Sequence, residues 1–128
     1  MRPEDRDCGY LWDILDRAGR IRRYVEGRSL ADYLKDQALQ DAVERCVEVI
    51  GEAARRVSGT FRDAHPEIPW RAIIAQRNIL SHEYDEIRPE RVYRVAVGNI
   101  PELIEKLEPL IPPAPTDEPP AGTSPEPG

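Results

Sequence analysis

Leu39 to Val57 reads LQDAVERCVEVIGEAARRV. Its apolar residues Leu39, Val43, Cys46, Ile50, Ala53 and Val57 follow one another at steps of 4, 3, 4, 3 and 4. That is the seam of an amphipathic helix, held for nearly three heptads. It is too short for a free coiled coil and suits one member of an antiparallel bundle. Gly51, Ala53 and Ala54 are small, so a neighbouring helix can approach closely there. Glu52 lies off the seam, with Arg56 four residues on as a candidate partner. Gly59 is expected to end the helix.

The segments on either side carry the same helical period. In residues 4–26, Leu11, Ile14, Leu15, Ala18, Ile21 and Val25 trace a first helix, and Gly27 suits its stop. Ser29 with Asp32 resembles a capping box opening a short helix from Leu30 to about Lys35. Thr60 is expected to cap a single turn through Ala64. His65-Pro66-Glu67-Ile68-Pro69 is expected to be an extended connector, because residues before proline avoid the helical region, and His65 itself reads as a surface or packing histidine. Pro69 starts a fourth helix, where its missing N–H costs nothing. Pro89 starts another, whose stripe runs through Val92, Tyr93, Ala96, Ile100, Leu103, Ile104 and Leu107. Pro101 interrupts that stripe and predicts a kink or break near Gly98-Asn99. No strand-like alternation occurs, so the fold is expected to be all-α.

From Pro109 on, eight of the 13 prolines accumulate with three acids, which predicts a disordered, solubilising tail. With 128 residues the chain is expected to be one domain or less. No apolar run is long enough to span a membrane, and the N-terminus lacks the apolar core of a secretory signal. A cytoplasmic protein is expected, with Cys8 and Cys46 as buried thiols. The net charge of −6 does not advertise a nucleic-acid binder, but the tail holds three acids and no base, leaving −3 for residues 1–108. Arg17, Arg20, Arg22, Arg23 and Arg28 cluster in one stretch. They suit either phosphate contact or a solvated helix face.

The fourth helix closes on Arg77-Asn78-Ile79-Leu80-Ser81-His82-Glu83-Tyr84. On a wheel of about 100° per residue, Trp70, Ile73, Ile74 and Leu80 share one face, with Arg77 at its centre and Tyr84 roughly 20° away. A guanidinium cannot be neutralised and is costly to bury unpaired. Arg77 therefore needs a buried acid such as Glu52, an opening in the core, or an anionic ligand. Arg, Asn and His are the parts of a metal-independent ribonuclease: His82 moves protons near neutral pH, Arg77 stabilises charge on phosphorus, and Asn78 orients. On an ideal helix Arg77 and His82 stand about 140° apart, so one chain brings them together only by distortion. A two-fold dimer doubles the set across a shared cleft. His82-Glu83 has no second His at i+4 and no nearby Cys, so no metal is expected, nor any cofactor. A purely structural Arg77–Glu52 pair that holds the bundle together remains the competing reading.

Four segments together, Ile50-Gly51-Glu52-Ala53-Ala54, His65-Pro66-Glu67-Ile68-Pro69-Trp70, Arg77 to Tyr84, and Ile100-Pro101-Glu102-Leu103, resemble the HepT family. These are HEPN-superfamily ribonuclease toxins encoded beside a minimal nucleotidyltransferase antitoxin, MntA. The resemblance covers roughly residues 5–108. It implies a HEPN-like antiparallel helical bundle of four to five main helices over residues 1–108, homodimeric, with residues 109–128 as a tail outside the pattern. It implies a type VII-like toxin–antitoxin role with RNA as substrate. Arg77 and His82 match the family's catalytic pair, Asn78 the polar position after the Arg, and Tyr84 the tyrosine of the R-x4-H-x-Y form. In the family that tyrosine receives AMP from the partner nucleotidyltransferase, which silences the toxin. Glu52 matches a family-typical acid, with Arg77 as its candidate partner. Glu83 departs from the pattern, standing where a small residue is common. The alternative is a non-catalytic HEPN dimer that serves as binding partner or substrate of a nucleotidyltransferase.

Overall fold

The computed structural model describes residues 5–82 and 88–112, with backbone alone at 79–82. Helix α1 runs Asp5–Val25, α2 Leu30–Leu34, α3 Gln37–Arg56, α4 Gly59–Ala64 and α5 Trp70–His82. Helix α6 covers Pro89–Arg94 and passes through a π-turn, Val95–Asn99, into α7, Ile100–Leu107, and a 3₁₀ turn, Glu108–Leu110. No strand occurs among the described residues.

The seam of α3 is the centre of the bundle. Leu39, Val43, Cys46, Ile50, Ala53 and Val57 are all buried, joined by Val47 and Ala54. Leu11, Ile14, Ala18, Ile21 and Val25 of α1 meet them from one side, and Ala96, Ile100, Leu103 and Leu107 close the core. Burying each large side chain contributes about 1.5–3 kcal/mol. The helix directions follow from the contacts between ends. Asp7, at the start of α1, reaches Ser58, just past the end of α3. Trp12 donates its indole N–H to the Pro112 carbonyl at 2.7 Å, beyond the end of α7. Both α3 and α7 therefore run antiparallel to α1. Helix α5 packs mainly on α3.

Several local expectations hold. Gly27 has φ +72°, the left-handed geometry a helix stop requires. Ser29 and Asp32 form the reciprocal capping box. Pro89 opens α6. His65 packs its ring 4.5 Å from that of Phe61.

Four expectations are corrected. Gly59 does not end α3, which stops at Arg56; Gly59 is the first residue of α4. The cap of α4 is Ser58 rather than Thr60: its hydroxyl accepts from Phe61 N–H at 3.2 Å while its own N–H and O–H donate to the buried Asp7 carboxylate at 2.8 and 2.6 Å. A partner 51 residues away outweighs the local capping preference. The connector after α4 is a turn, closed by Ile68 N–H donating to the His65 carbonyl at 3.2 Å. At Pro101 the helix is widened rather than broken: Ile100 N–H donates to the Val95 carbonyl, an i→i−5 bond. Pro101 has no N–H for the Val97 carbonyl and its ring crowds that oxygen. The π-turn just upstream accommodates both.

Candidate active site

The helix that carries Arg77 is anchored at its start. Trp70 is buried, its ring 6.2 Å edge-on from Phe61, and its indole N–H donates to the His65 carbonyl at 3.0 Å. Ile73 and Ile74 are half-buried. One turn later Arg77 crosses α3 at Gly51. A methyl group on Gly51 would overlap the Arg77 Cβ, and would lie 2.9 Å from its Cγ and 3.1 Å from the Ile73 carbonyl oxygen. The missing side chain is thus the notch through which the aliphatic stem of Arg77 passes. The arginine in the apolar stripe emerges at an opening beside the core, with its side chain one-quarter exposed.

At that opening Glu52 gathers three guanidiniums. Its Oε1 accepts from Arg55 Nη2 at 2.8 Å and Arg56 Nε at 2.9 Å; its Oε2 accepts from Arg55 Nε at 3.2 Å and lies 3.4 Å from Arg77 Nη2. Hydrogen bonds from Arg55 and then Arg56 hold the Glu52 carboxyl down at about 2 against a smaller opposing effect of burial. Glu52 is therefore ionised at every pH at which the fold is expected to function. The Arg77 contact is the longest of the set and binds its guanidinium least tightly. Arg77 Nη1 donates to Asn78 Oδ1 at 3.1 Å, while the buried Nε has no hydrogen-bond partner among the described residues. An arginine held by one carboxylate oxygen and one amide still has N–H groups to offer an anion.

Of the residues singled out in the sequence, Arg77, Asn78 and Glu52 are brought together here, and the Arg56 partnership of Glu52 is also present. His82 is the last residue of α5. Its side chain, those of Ile79 to Ser81, and Tyr84 with Glu83 lie outside the described residues, as do residues 113–128 of the tail. Arg55 was not anticipated as a third arginine on Glu52, although its i+3 spacing is a signal for it. The sequence reading also missed Tyr10, Asp13 and Arg45. They line a groove of about 350 Å³ beside Arg77, together with Glu48, Glu52 and Arg56. Tyr10 stands against Arg56, whose cationic form is favoured first by Glu52 and then by the Tyr10 hydroxyl.

Elsewhere the chemistry is sparser. A smaller cavity of about 140 Å³ on another side of α5 is walled by Val47, Ile50, Ile73 and Leu103, with the neutral amides of Gln76 and Asn99. It has no charged group for phosphodiester chemistry. In the arginine-rich stretch from α1 into the following loop, Arg20 pairs with Asp16 at 3.1 Å and Arg28 with Asp36 at 3.3 Å, as on a solvated face. Among the described residues no cluster of His, Cys, Asp and Glu side chains is placed to hold a metal ion. No described helix is long and apolar enough to cross a membrane.

Comparison with known proteins places the chain in a family. A protein of Thermococcus cleftensis named "Probable ribonuclease HepT" is 35% identical over 101 residues, covering 79% of this chain and 92% of the relative. A protein of Caldanaerobacter subterraneus subsp. tengcongensis, named as a "Putative RNase", is 32% identical over 80% of this chain and 91% of its own. One of Methanocaldococcus jannaschii, also named as a "Putative RNase", is 31% identical over 80% of this chain and 84% of its own. No solved structure matches the chain significantly. The model of the family described as "Ribonuclease HepT-like" matches residues 14–110, a span that takes in Glu52, Arg77, Asn78 and His82. The chain belongs to the HepT-like ribonuclease family.

Proposed function

We propose that the protein is a metal-independent endoribonuclease, acting as the toxin of a type VII-like toxin–antitoxin pair. The observation that carries this reading is the guanidinium of Arg77, threaded past Gly51 and only partly neutralised at the rim of an open groove. In the reaction a base removes the proton of an RNA 2′-hydroxyl. O2′ then attacks phosphorus, and the P–O5′ bond breaks. The leaving O5′ takes a proton from an acid, and a 2′,3′-cyclic phosphate remains. Arg77 stabilises the charge that develops on the phosphoryl oxygens. His82 supplies proton transfer, and Asn78 orients the Arg77 guanidinium through their hydrogen bond.

Helix α5 is continuous through His82. The two positions therefore keep an angular separation of about 140° around the helix axis. This supports a homodimer in which Arg77 of one subunit works beside His82 of the other. Tyr84 is proposed as the acceptor of AMP from an MntA-like nucleotidyltransferase. An added phosphate would compete for Arg77 and exclude RNA.

The deciding experiment is cleavage of total RNA by the purified protein in EDTA, beside His82→Ala, with the product ends identified. Cleavage that persists in EDTA, leaves cyclic phosphate and disappears in the variant is expected. Unchanged cleavage by folded His82→Ala would remove His82 from the mechanism. Absence of cleavage by the folded wild-type dimer would favour a non-catalytic binding partner of the nucleotidyltransferase. For the modification, Tyr84→Phe should abolish the AMP mass increment left by the partner enzyme.

A further inference from the structure

The groove beside Arg77 has features the cleavage reaction does not use. Tyr10 and Asp13 of α1 form one wall, and Arg45, Glu48 and Arg56 of α3 form the other. Its volume of about 350 Å³ lies at the low end of the roughly 300–1,000 Å³ of small-ligand sites, so it suits a single nucleotide rather than a duplex. Three features then bear on what it holds.

The first is charge. Arg56 and Arg77 of the groove lining, with Arg55 outside it, converge on the single carboxylate of Glu52, so the cations gather at that end while Asp13 and Glu48 balance the groove as a whole. The four contacts already made to Glu52 fill the places a carboxylate can offer. The remaining N–H groups of these arginines are therefore left for another acceptor, a ligand phosphate among them. The second is Arg45. Its pairing with Glu48 is long, 3.4 Å, and its side chain is 67% exposed. Such a pair is worth little in water, so Arg45 can exchange Glu48 for a phosphate at small cost. The third is Tyr10, a half-buried ring on the groove wall that stands against Arg56. A π-face flanked by guanidiniums is the arrangement by which proteins hold unpaired nucleotides: the ring stacks a base and the arginines take the flanking phosphates.

We infer that this groove is a subsite for one unpaired nucleotide of an RNA strand adjoining the scissile phosphate, with Tyr10 stacking its base and Arg45 and Arg56 taking the phosphates on either side of it. The inference rests on the ribonuclease reading for the position of the scissile bond, but its binding chemistry is separable from cleavage. Neither Tyr10 nor Arg45 takes part in bond making, so both act on substrate affinity. RNA held in helical form cannot offer a single base to the ring, so the strand must be single-stranded at this point.

The test uses the full-length protein and an end-labelled single-stranded oligoribonucleotide whose 2′-oxygens are methylated. It cannot be cleaved, because the nucleophile is blocked. Binding is followed by fluorescence anisotropy. Tyr10→Leu should weaken binding on the order of tenfold, as loss of one base stack implies. Tyr10→Phe, which keeps the ring, should stay within about twofold. Arg45→Gln should weaken binding and lower the slope of log affinity on log salt by about 1. Arg45 is far from the core, so its variant decides the matter even if Tyr10→Leu does not fold. Wild-type affinity in both Tyr10→Leu and Arg45→Gln overturns the subsite, as does failure of the wild-type protein to bind the strand. Binding that shows these losses, together with no cleavage of the unmethylated strand, overturns the ribonuclease reading and leaves the subsite standing.

Discussion

Gly51 and Glu52 are adjacent on α3, and together they decide what Arg77 can do. Gly51 gives the stem a passage, and Glu52 gives the guanidinium a direction. Replacing a helical glycine by alanine ordinarily stabilises by about 1 kcal/mol. Here the sign should reverse. The added methyl meets the Arg77 stem and the Ile73 carbonyl, which belongs to backbone and cannot swing away. Overpacking of this kind costs about 1–3 kcal/mol, so Gly51→Ala should lower the denaturation midpoint and impair any cleavage with it. Glu52 makes a prediction in pH. Its carboxyl sits at about 2 in the folded protein, below the ordinary value of 4.5. The stabilisation is therefore complete above about pH 4.5 and is lost as pH falls through about 2. The group is close to solvent, which screens it, so the effect should be under about 1 kcal/mol. Thermal melts of wild type and Glu52→Gln should differ slightly at pH 7 and converge toward pH 2. A difference that persisted at pH 2 would mean that the glutamine disturbs something other than the charge.

Between elements, the junction of α3 and α4 depends on one long-range anchor. Asp7 is buried, and its two oxygens take both donors of Ser58. In Asp7→Ala the Ser58 N–H loses its acceptor, and a loss of about 1–3 kcal/mol is expected in chemical denaturation. The same anchor explains why α4 was misread in the sequence. The local signals, Gly59 as a stop and Thr60 as a cap, are sound as propensities. They are outweighed by a carboxylate from the far end of the chain, which no local window contains. The α3 seam was legible because burial every three or four residues is recorded in residue type itself. Pro101 announced a disturbance but not its form, because a missing N–H is compatible with a kink, a break or a π-turn. In the site, Arg77, Asn78 and Glu52 were legible because an arginine in an apolar stripe needs an explanation. Tyr10 and Arg45 were not, being 35 positions apart and unremarkable singly. Only the packing of α1 on α3 makes them opposite walls of one groove.

At the scale of the molecule, α5 leans mainly on α3 and keeps Ile73 and Ile74 only half-buried. A second copy placed there would bring two such helices together, as the proposed shared cleft requires. The two-subunit site can be tested by mixing. Arg77→Ala and His82→Ala proteins should each be inactive. After joint unfolding and refolding, a mixed dimer carries one complete pair, Arg77 from one chain and His82 from the other. Random assortment makes about half the dimers mixed, so about one-quarter of wild-type turnover should return. No recovery would place both groups of each site on a single chain.

The bond from Trp12 to the Pro112 carbonyl gives the molecule a built-in optical reporter. The chain has two indoles. Trp70 is enclosed beside Phe61, and Trp12 is half-exposed with its N–H committed to the Pro112 carbonyl. Release of residue 112 would leave Trp70 in place and transfer the Trp12 N–H to water, shifting its emission to the red. In Trp12→Phe or Trp70→Phe, the remaining fluorophore would report separately on the carboxyl-terminal latch and on the footing of α5.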